Sequence, residues 1–346
     1  MFTLTPLLAQ ETSDSTQVKE DSTETKKTIS ELTKSSRKIE GLFTFFQDTV
    51  NGSVQMLIKN NQLNKEYIHF VHTLDGVVDV GHFRGAYKTS KIFEIRKYFN
   101  RLEFVSINTA YYFEPGNPLR RAESANINAA VLAALEIVAT DVETKAMLLK
   151  VDDMFLSENL YQIKPTPSPQ AKPGTRFTLG SLNNKKCQYE ALNNYPLNSD
   201  VVVKYVYDNP TPINRGGPGI TDPRSVYVVI QHSFIAVPDN DYNPRYDDPR
   251  IGYFMTQVTD LTSTSNTPYR DLISRWNLVK KEPSAPVSEP EDPILFWIEN
   301  TTPLEFRPAV KEGVLRWNRA YRAAGFKNAI QVKTQPDDAE WDAGDI

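Results

Sequence analysis

The chain has 346 residues, 40% of them apolar, which is enough to bury a substantial core as two domains or as one large domain with attachments. Its formal net charge of -4 and its isolated basic pairs, Lys185-Lys186 and Lys280-Lys281, give no cationic stripe, so nucleic acid is not an expected partner. The longest apolar run, 129–135, stops at Glu136, far short of the roughly 20 residues of a membrane-spanning helix, and the lone Cys187 rules out an internal disulfide.

Residues 1–9 read as a signal-peptide remnant, with the small Ala9 preceding a polar stretch but no basic segment in front. They point to a secreted or periplasmic product. Residues 10–38 are dominated by Ser, Thr, Glu, Asp and Lys, too polar to offset the entropy of ordering, and are expected to form a disordered linker. Residues 39–282 are read as a β-rich region in one or two subdomains. Short β-branched and aromatic runs recur there at 39–46, 54–58, 67–74, 92–95, 102–107, 201–207, 226–237 and 253–258. Asn51-Gly52 between the first two predicts a hairpin with a type I′ turn. The spacing predicts mostly antiparallel sheet, a sandwich or an open barrel. The Ala-rich stretch 128–140 fits a helix by propensity and a buried strand by context, and periodicity does not decide. The prolines of 164–169 favour extended polyproline II geometry, and 208–219 reads as a long surface loop.

Pro283, Pro286, Pro290 and Pro293 mark 283–293 as a linker, after which the pattern changes in kind. Residues 294–298 form an apolar run suited to a strand covered on both faces. Phe306, Val310, Val314, Trp317, Tyr321 and Ala324 then trace one stripe of an amphipathic helix. Thr301 or Thr302 is the expected N-cap, Pro303 suits the first turn, and Gly325 is placed for a left-handed C-cap with Phe326 packing back. Residues 329–333 supply a second strand, so a βαβ unit with parallel strands is expected.

Chemistry is easier to exclude than to find. His69 and His72 stand three apart in a strand-like run, which puts them on opposite faces and argues against a shared metal site. His82 in a turn-like context and His232 within a strand read as structural or surface histidines, and Cys187 in a polar stretch is a poor nucleophile candidate. The loop 239–244 begins like a calcium loop, but Pro244 replaces the turn glycine and Arg250 the bidentate glutamate, so an EF-hand is rejected. No Gly-rich phosphate loop, G-x-S-x-G elbow or H-E-x-x-H segment occurs.

Four motifs carry a resemblance: Asp248-Pro249-Arg250-Ile251-Gly252-Tyr253-Phe254, Ser274-Arg275-Trp276-Asn277-Leu278-Val279, Pro293-Ile294-Leu295-Phe296-Trp297-Ile298, and the helix 306–326. In sequence, order and spacing they resemble a bacterial family of large zinc-dependent metalloproteases with a metzincin-like catalytic domain preceded by β-rich N-terminal domains. The resemblance implies an α+β chain: a mostly antiparallel β region, then residues 294–346 as the truncated βαβ start of the catalytic domain. It also implies peptide-bond hydrolysis by zinc-activated water, with two histidines one turn apart on a helix, a glutamate beside the first and a third ligand downstream. Residues 340–346 resemble the family's segment before the next strand, so the zinc helix is expected beyond Ile346. No catalytic, cofactor-binding or metal residue carries over onto this chain, which is expected to bind no zinc and to be inactive alone. The partners expected are a protein or peptide substrate and a C-terminal catalytic half. The alternative reading is a non-catalytic extracellular β-rich binding module.

Overall fold

Side chains alternate between a buried and a solvated face along most of the chain, and the segments that do so pair edge to edge. The computed structural model describes residues 27–166, 168–170, 172, 174–339, 341 and 345. The expected signal-peptide remnant and residues 10–26 of the expected linker lie outside them. Among the described residues twelve strands form one sheet: β1 (Ser36–Ile39), β2 (Thr44–Asp48), β3 (Val54–Ile58), β4 (Glu66–Asp75), β5 (Tyr87–Tyr98), β6 (Arg101–Ser106), β7 (Ala130–Thr140), β8 (Met147–Lys150), β9 (Ser181–Leu182), β10 (Gln188–Asn194), β11 (Asn198–Asp208) and β12 (Ser225–Ala236). Their order is β1-β2-β3-β8-β7-β6-β5-β4-β12-β11-β9, with β10 also on β11, and every pairing is antiparallel. The mostly antiparallel β architecture expected from the sequence is therefore present.

The inward residues of opposite ends of this sheet belong to one hydrophobic cluster: Phe45 and Met56 of β2 and β3 share it with Val203 and Phe234 of β11 and β12. The sheet therefore curls into a barrel-like shell. No ladder closes the seam between its two ends. Asn194 Nδ2 donates to the carbonyls of Ile39 and Phe43, Ser199 Oγ accepts the Phe43 amide, and the Leu42 amide donates to the Tyr195 carbonyl. Gly41 is required at this crossing, because a Cβ there would lie 2.1 Å from Asn194 Oδ1. A short helix, α2 (Asp152–Phe155; α1 is Ile29–Leu32), spans the seam from inside: Asp152 Oδ1 accepts the Val54 amide of β3 and the Tyr189 hydroxyl of β10.

Several expectations change on contact with the tertiary structure. The expected linker ends early, since β1 begins at Ser36 and pairs with β2. The run 39–46 breaks at Gly41. The β2–β3 turn spans 49–53 and is not a two-residue type I′ turn. Gly52 alone is left-handed there (φ 76°), because Asp48 Oδ1 accepts the Val50 and Asn51 amides and stabilises a longer loop. The Ala-rich stretch is β7, with Ala133, Leu135, Ile137 and Ala139 buried at period two. The run 253–258 contributes only Met255–Thr256, paired with Leu272–Ile273.

After the sheet the chain forms the expected unit: β13 (Ile294–Ile298) and β14 (Ile330–Thr334) pair in parallel, with α3 (Arg307–Leu315) and α4 (Asn318–Ala323) between them. The expected single helix is broken at Arg316–Trp317. Neither threonine caps it; Phe306 is the N-cap position, and the Arg307 guanidinium donates to the carbonyls of Asn300 and Thr302 ahead of it. Gly325 is left-handed (φ 92°), and the Phe326 amide returns to the Tyr321 carbonyl, as a glycine C-cap requires. The proline-rich 283–293 stretch is hydrogen-bonded, with Lys281 to Glu289 and Glu291 to Val279, and Ser288 bridges to Phe326.

Candidate functional site

The histidines and tyrosines that the sequence scatters along four strands converge inside the barrel. β4 turns His69 inward and β12 turns His232 inward, with His69 Nε2 3.0 Å from His232 Nδ1 and the rings stacked. His232 Nε2 lies 2.8 Å from the Tyr205 hydroxyl of β11, which donates at 2.7 Å to the Phe155 carbonyl of α2. A tyrosine has one proton to give, and a carbonyl can only accept. Tyr205 therefore gives its proton to Phe155, His232 Nε2–H donates to Tyr205, His232 Nδ1 is the bare acceptor, and His69 Nε2–H donates to it. One tautomer of each neutral imidazole is fixed by this logic. His69 Nδ1, the last atom of the chain, is buried without a hydrogen-bond partner.

The same wall holds the segment that follows α2. The Tyr207 hydroxyl donates to Glu158 Oε1, which also accepts the amides of Ile163 and Lys164. His82 Nε2 donates to the Ile163 carbonyl at 2.9 Å, while Thr73 Oγ1 sits 3.3 Å from His82 Nδ1. Met154 and Phe155 of α2 and Leu160 and Ile163 of the segment after it are all in the core. Burial holds His69 well below the usual imidazole range, with His232 and Lys91 adding to the shift, and brings His232 down to about 3, with His72 adding. Burial likewise pushes Tyr205 well up, with Cys187 and Glu158 adding, and Tyr189 well up, with Asp152 adding. The network is buried and neutral, and every ring nitrogen and hydroxyl in it except His69 Nδ1 has a hydrogen-bond partner, an arrangement that orients groups.

His72 faces the other side of β4 from His69, as strand geometry requires, and pairs in register with Gln231. That outer face carries Asp200, whose carboxyl is pushed up to about 6, chiefly by burial and against the Ser233 hydrogen bond, with Asp345 adding to the rise. Gln231 Nε2 donates to Asp345 Oδ1 at 3.1 Å, and Arg84 pairs with Glu299 at 2.9 Å, so the C-terminal unit touches the barrel at two polar points. Cys187 is buried, its thiol donates to the Asn183 carbonyl and burial pushes it up, all of which argues against a nucleophile. Asp248 pairs locally with Arg250.

Two open surfaces stand out among the described residues. A cleft of about 1080 Å³ is lined by the Asp79–Gly81 turn, by described residues between Lys164 and Leu179 such as Lys164, Arg176 and Phe177, and by Asn209, Thr211, Ile213 and Asn214. The second is the C-terminal unit. Leu295, Phe296 and Trp297 of β13 are 38–43% exposed, and Phe306, Val310 and Trp317 of the helical stripe are 42–64% exposed. Four of the six residues of the apolar stripe read from the sequence, Phe306, Val310, Trp317 and Ala324, thus face solvent. Among the described residues no group of three or more His, Cys, Asp or Glu is placed to hold a metal ion, and no helix is long and apolar enough to cross a membrane.

No curated protein and no solved structure matches the chain. A family model described as "Domain of unknown function (DUF5117)" matches residues 87–281, from the first residue of β5 to the turn before β13, which is more than half of the sequence. The chain belongs to the family defined by this domain of unknown function.

Proposed function

We propose that the chain is the N-terminal part of an exported zinc-dependent metalloprotease, a β-barrel scaffold joined to the beginning of a metzincin-like catalytic domain. The observation that carries the reading is the exposed apolar surface of the β13–α3–α4–β14 unit. Parallel strands occur in sheets covered on both faces, and an isolated pair is marginal at best. Leu295, Phe296, Trp297, Val310 and Trp317 are therefore the inner faces of a larger domain, waiting for further strands and helices. Among the described residues His69 and His232 bond to each other and His82 to a backbone carbonyl, so these three histidines are engaged within the fold. In this reading the ligands, and the hydrolysis they support, belong to another part of the protease.

The test is proteolysis by two polypeptides, the 346-residue chain and the product of the reading frame extended through whatever follows codon 346. Casein cleavage that a zinc chelator abolishes and added zinc restores is expected of the extended product and not of the shorter one. Chelator-sensitive cleavage by the 346-residue chain, or an extended product that never cleaves, overturns the proposal. The cleft beside Phe177 and Ile213 favours the second reading, a β-rich module that binds protein or glycan without cleaving it. Saturable binding of an uncleaved ligand by the shorter chain supports that alternative.

A further inference from the structure

The segment 152–164 fills one end of the barrel core, yet no strand ladder holds it. Besides the core packing of Met154, Phe155, Leu160 and Ile163, it is tied to the walls by hydrogen bonds: the Val54 amide and Tyr189 to Asp152, Tyr205 to the Phe155 carbonyl, Tyr207 to Glu158 and His82 to the Ile163 carbonyl. We propose that the His69–His232–Tyr205 chain is an acid-sensitive lock on this segment, closed while both imidazoles are neutral and released when either takes a proton.

The reason lies in the proton order. A proton arriving at His69 Nδ1 meets no acceptor. A proton arriving at His232 Nδ1 sets an N–H against the N–H of His69 and breaks that link. Either way an imidazolium is stranded among the rings of Phe93, Phe155 and Phe234. The charged and titratable neighbours do not rescue it. Lys91 of β5 and the second imidazole repel a charge on His69, and His72 of β4 repels one on His232. Of the carboxylates of the segment, Asp152 is engaged by Tyr189 and Glu158 by Tyr207, and Asp153 is exposed on the outside. At His82, Lys88 and Glu158 act in opposite directions. Tyr205 and Cys187 stay neutral in acid because burial holds both above their usual range.

Relief comes from letting water in, and the structure decides where. β4, β11 and β12 are each laddered on both edges. Phe155, whose ring lies 6.2 Å from that of His232, is held by the Tyr205 hydrogen bond, by its own amide on the Val151 carbonyl and by packing, with no strand ladder. Local opening draws on the least stable cover first, so 152–164 moves before the strands do.

Hydrogen–deuterium exchange of the full chain, corrected for intrinsic rates, tests the lock. Between about pH 7.5 and about pH 5, amides of 152–164 are expected to lose about tenfold or more in protection while those of β4 and β12 keep theirs. In the double variant His69→Gln, His232→Gln, the side-chain amides keep the donor order but cannot titrate, and the pH dependence is expected to vanish. The proposal is overturned if wild-type 152–164 shows no pH dependence, opens only together with β4 and β12, or behaves identically in the double variant. Should that variant not fold, Tyr205→Phe decides. Its 152–164 amides must exchange near pH 7.5 as fast as wild type does in acid, and wild-type protection there overturns the lock.

Discussion

Tyr205 has one proton and two polar neighbours, and its choice between them orders the whole interior chain. Replacing it with Phe leaves the Phe155 carbonyl and His232 Nε2 buried without partners, so urea denaturation is expected to show a loss of about 1–3 kcal/mol. The histidines set the pH response. His69 and His232 are held below their unfolded range, so the folded state binds fewer protons than the unfolded one. Their stability is fully present above about pH 6.5 and falls toward acid by up to about 1.4 kcal/mol per pH unit for each imidazole. Asp200, raised to about 6, has the opposite sign and offsets one of the two imidazoles between about pH 6 and pH 4. Denaturation midpoints are therefore expected to fall steadily below about pH 6.5; a midpoint that rises on acidification excludes the neutral assignment. The sequence shows four histidines and places three of them, His69, His72 and His232, on strands, but the pairing of His69 with His232 across 163 residues is not legible there. The signal available was the alternation of the two strands, which puts both inside without saying that they meet.

Elements were read well where local signals were complete. The glycine stop at 325 needed only a stripe, a glycine and a following aromatic residue, and it is where the helix ends. Gly325→Ala is expected to cost about 1–2 kcal/mol in thermal unfolding, since an L residue resists φ 92° and its Cβ would sit 3.1 Å from Lys280 Nζ and the Pro286 carbonyl. The N-cap was misread because Arg307 reaches back over the carbonyls ahead of the helix, a contact that no local pattern encodes. Trp317 tests the open face. At 64% exposure, Trp317→Lys is expected to leave the melting temperature of the isolated chain within the error of a surface change and to raise its aggregation onset. A large drop in melting temperature shows instead that Trp317 is packed.

For the whole molecule, the boundaries of the family match are themselves informative. They begin at β5, whereas β4 lies between β5 and β12 in the middle of the sheet, and β2 and β3 carry part of the common core. A polypeptide of residues 87–281 lacks that central strand and is expected to show no cooperative unfolding by circular dichroism, whereas 27–281 unfolds cooperatively. Cooperative unfolding of the shorter piece excludes the single-barrel description.

Local side-chain alternation, turn residues and helix-stop chemistry suffice for most of the long strands, their mostly antiparallel character and the change to a parallel pair after Pro293, because each is encoded within a few residues. Only the tertiary structure decided that the Ala-rich stretch is a strand, since its alternation becomes buried only when β6 and β8 flank it. Only it decided that the sheet curls until Asn194 meets Ile39, and that two distant histidines and a tyrosine share one proton order. These are contacts between residues far apart in sequence, fixed by how paired strands curl into a shell whose seam is joined by side chains, a property that no single segment possesses.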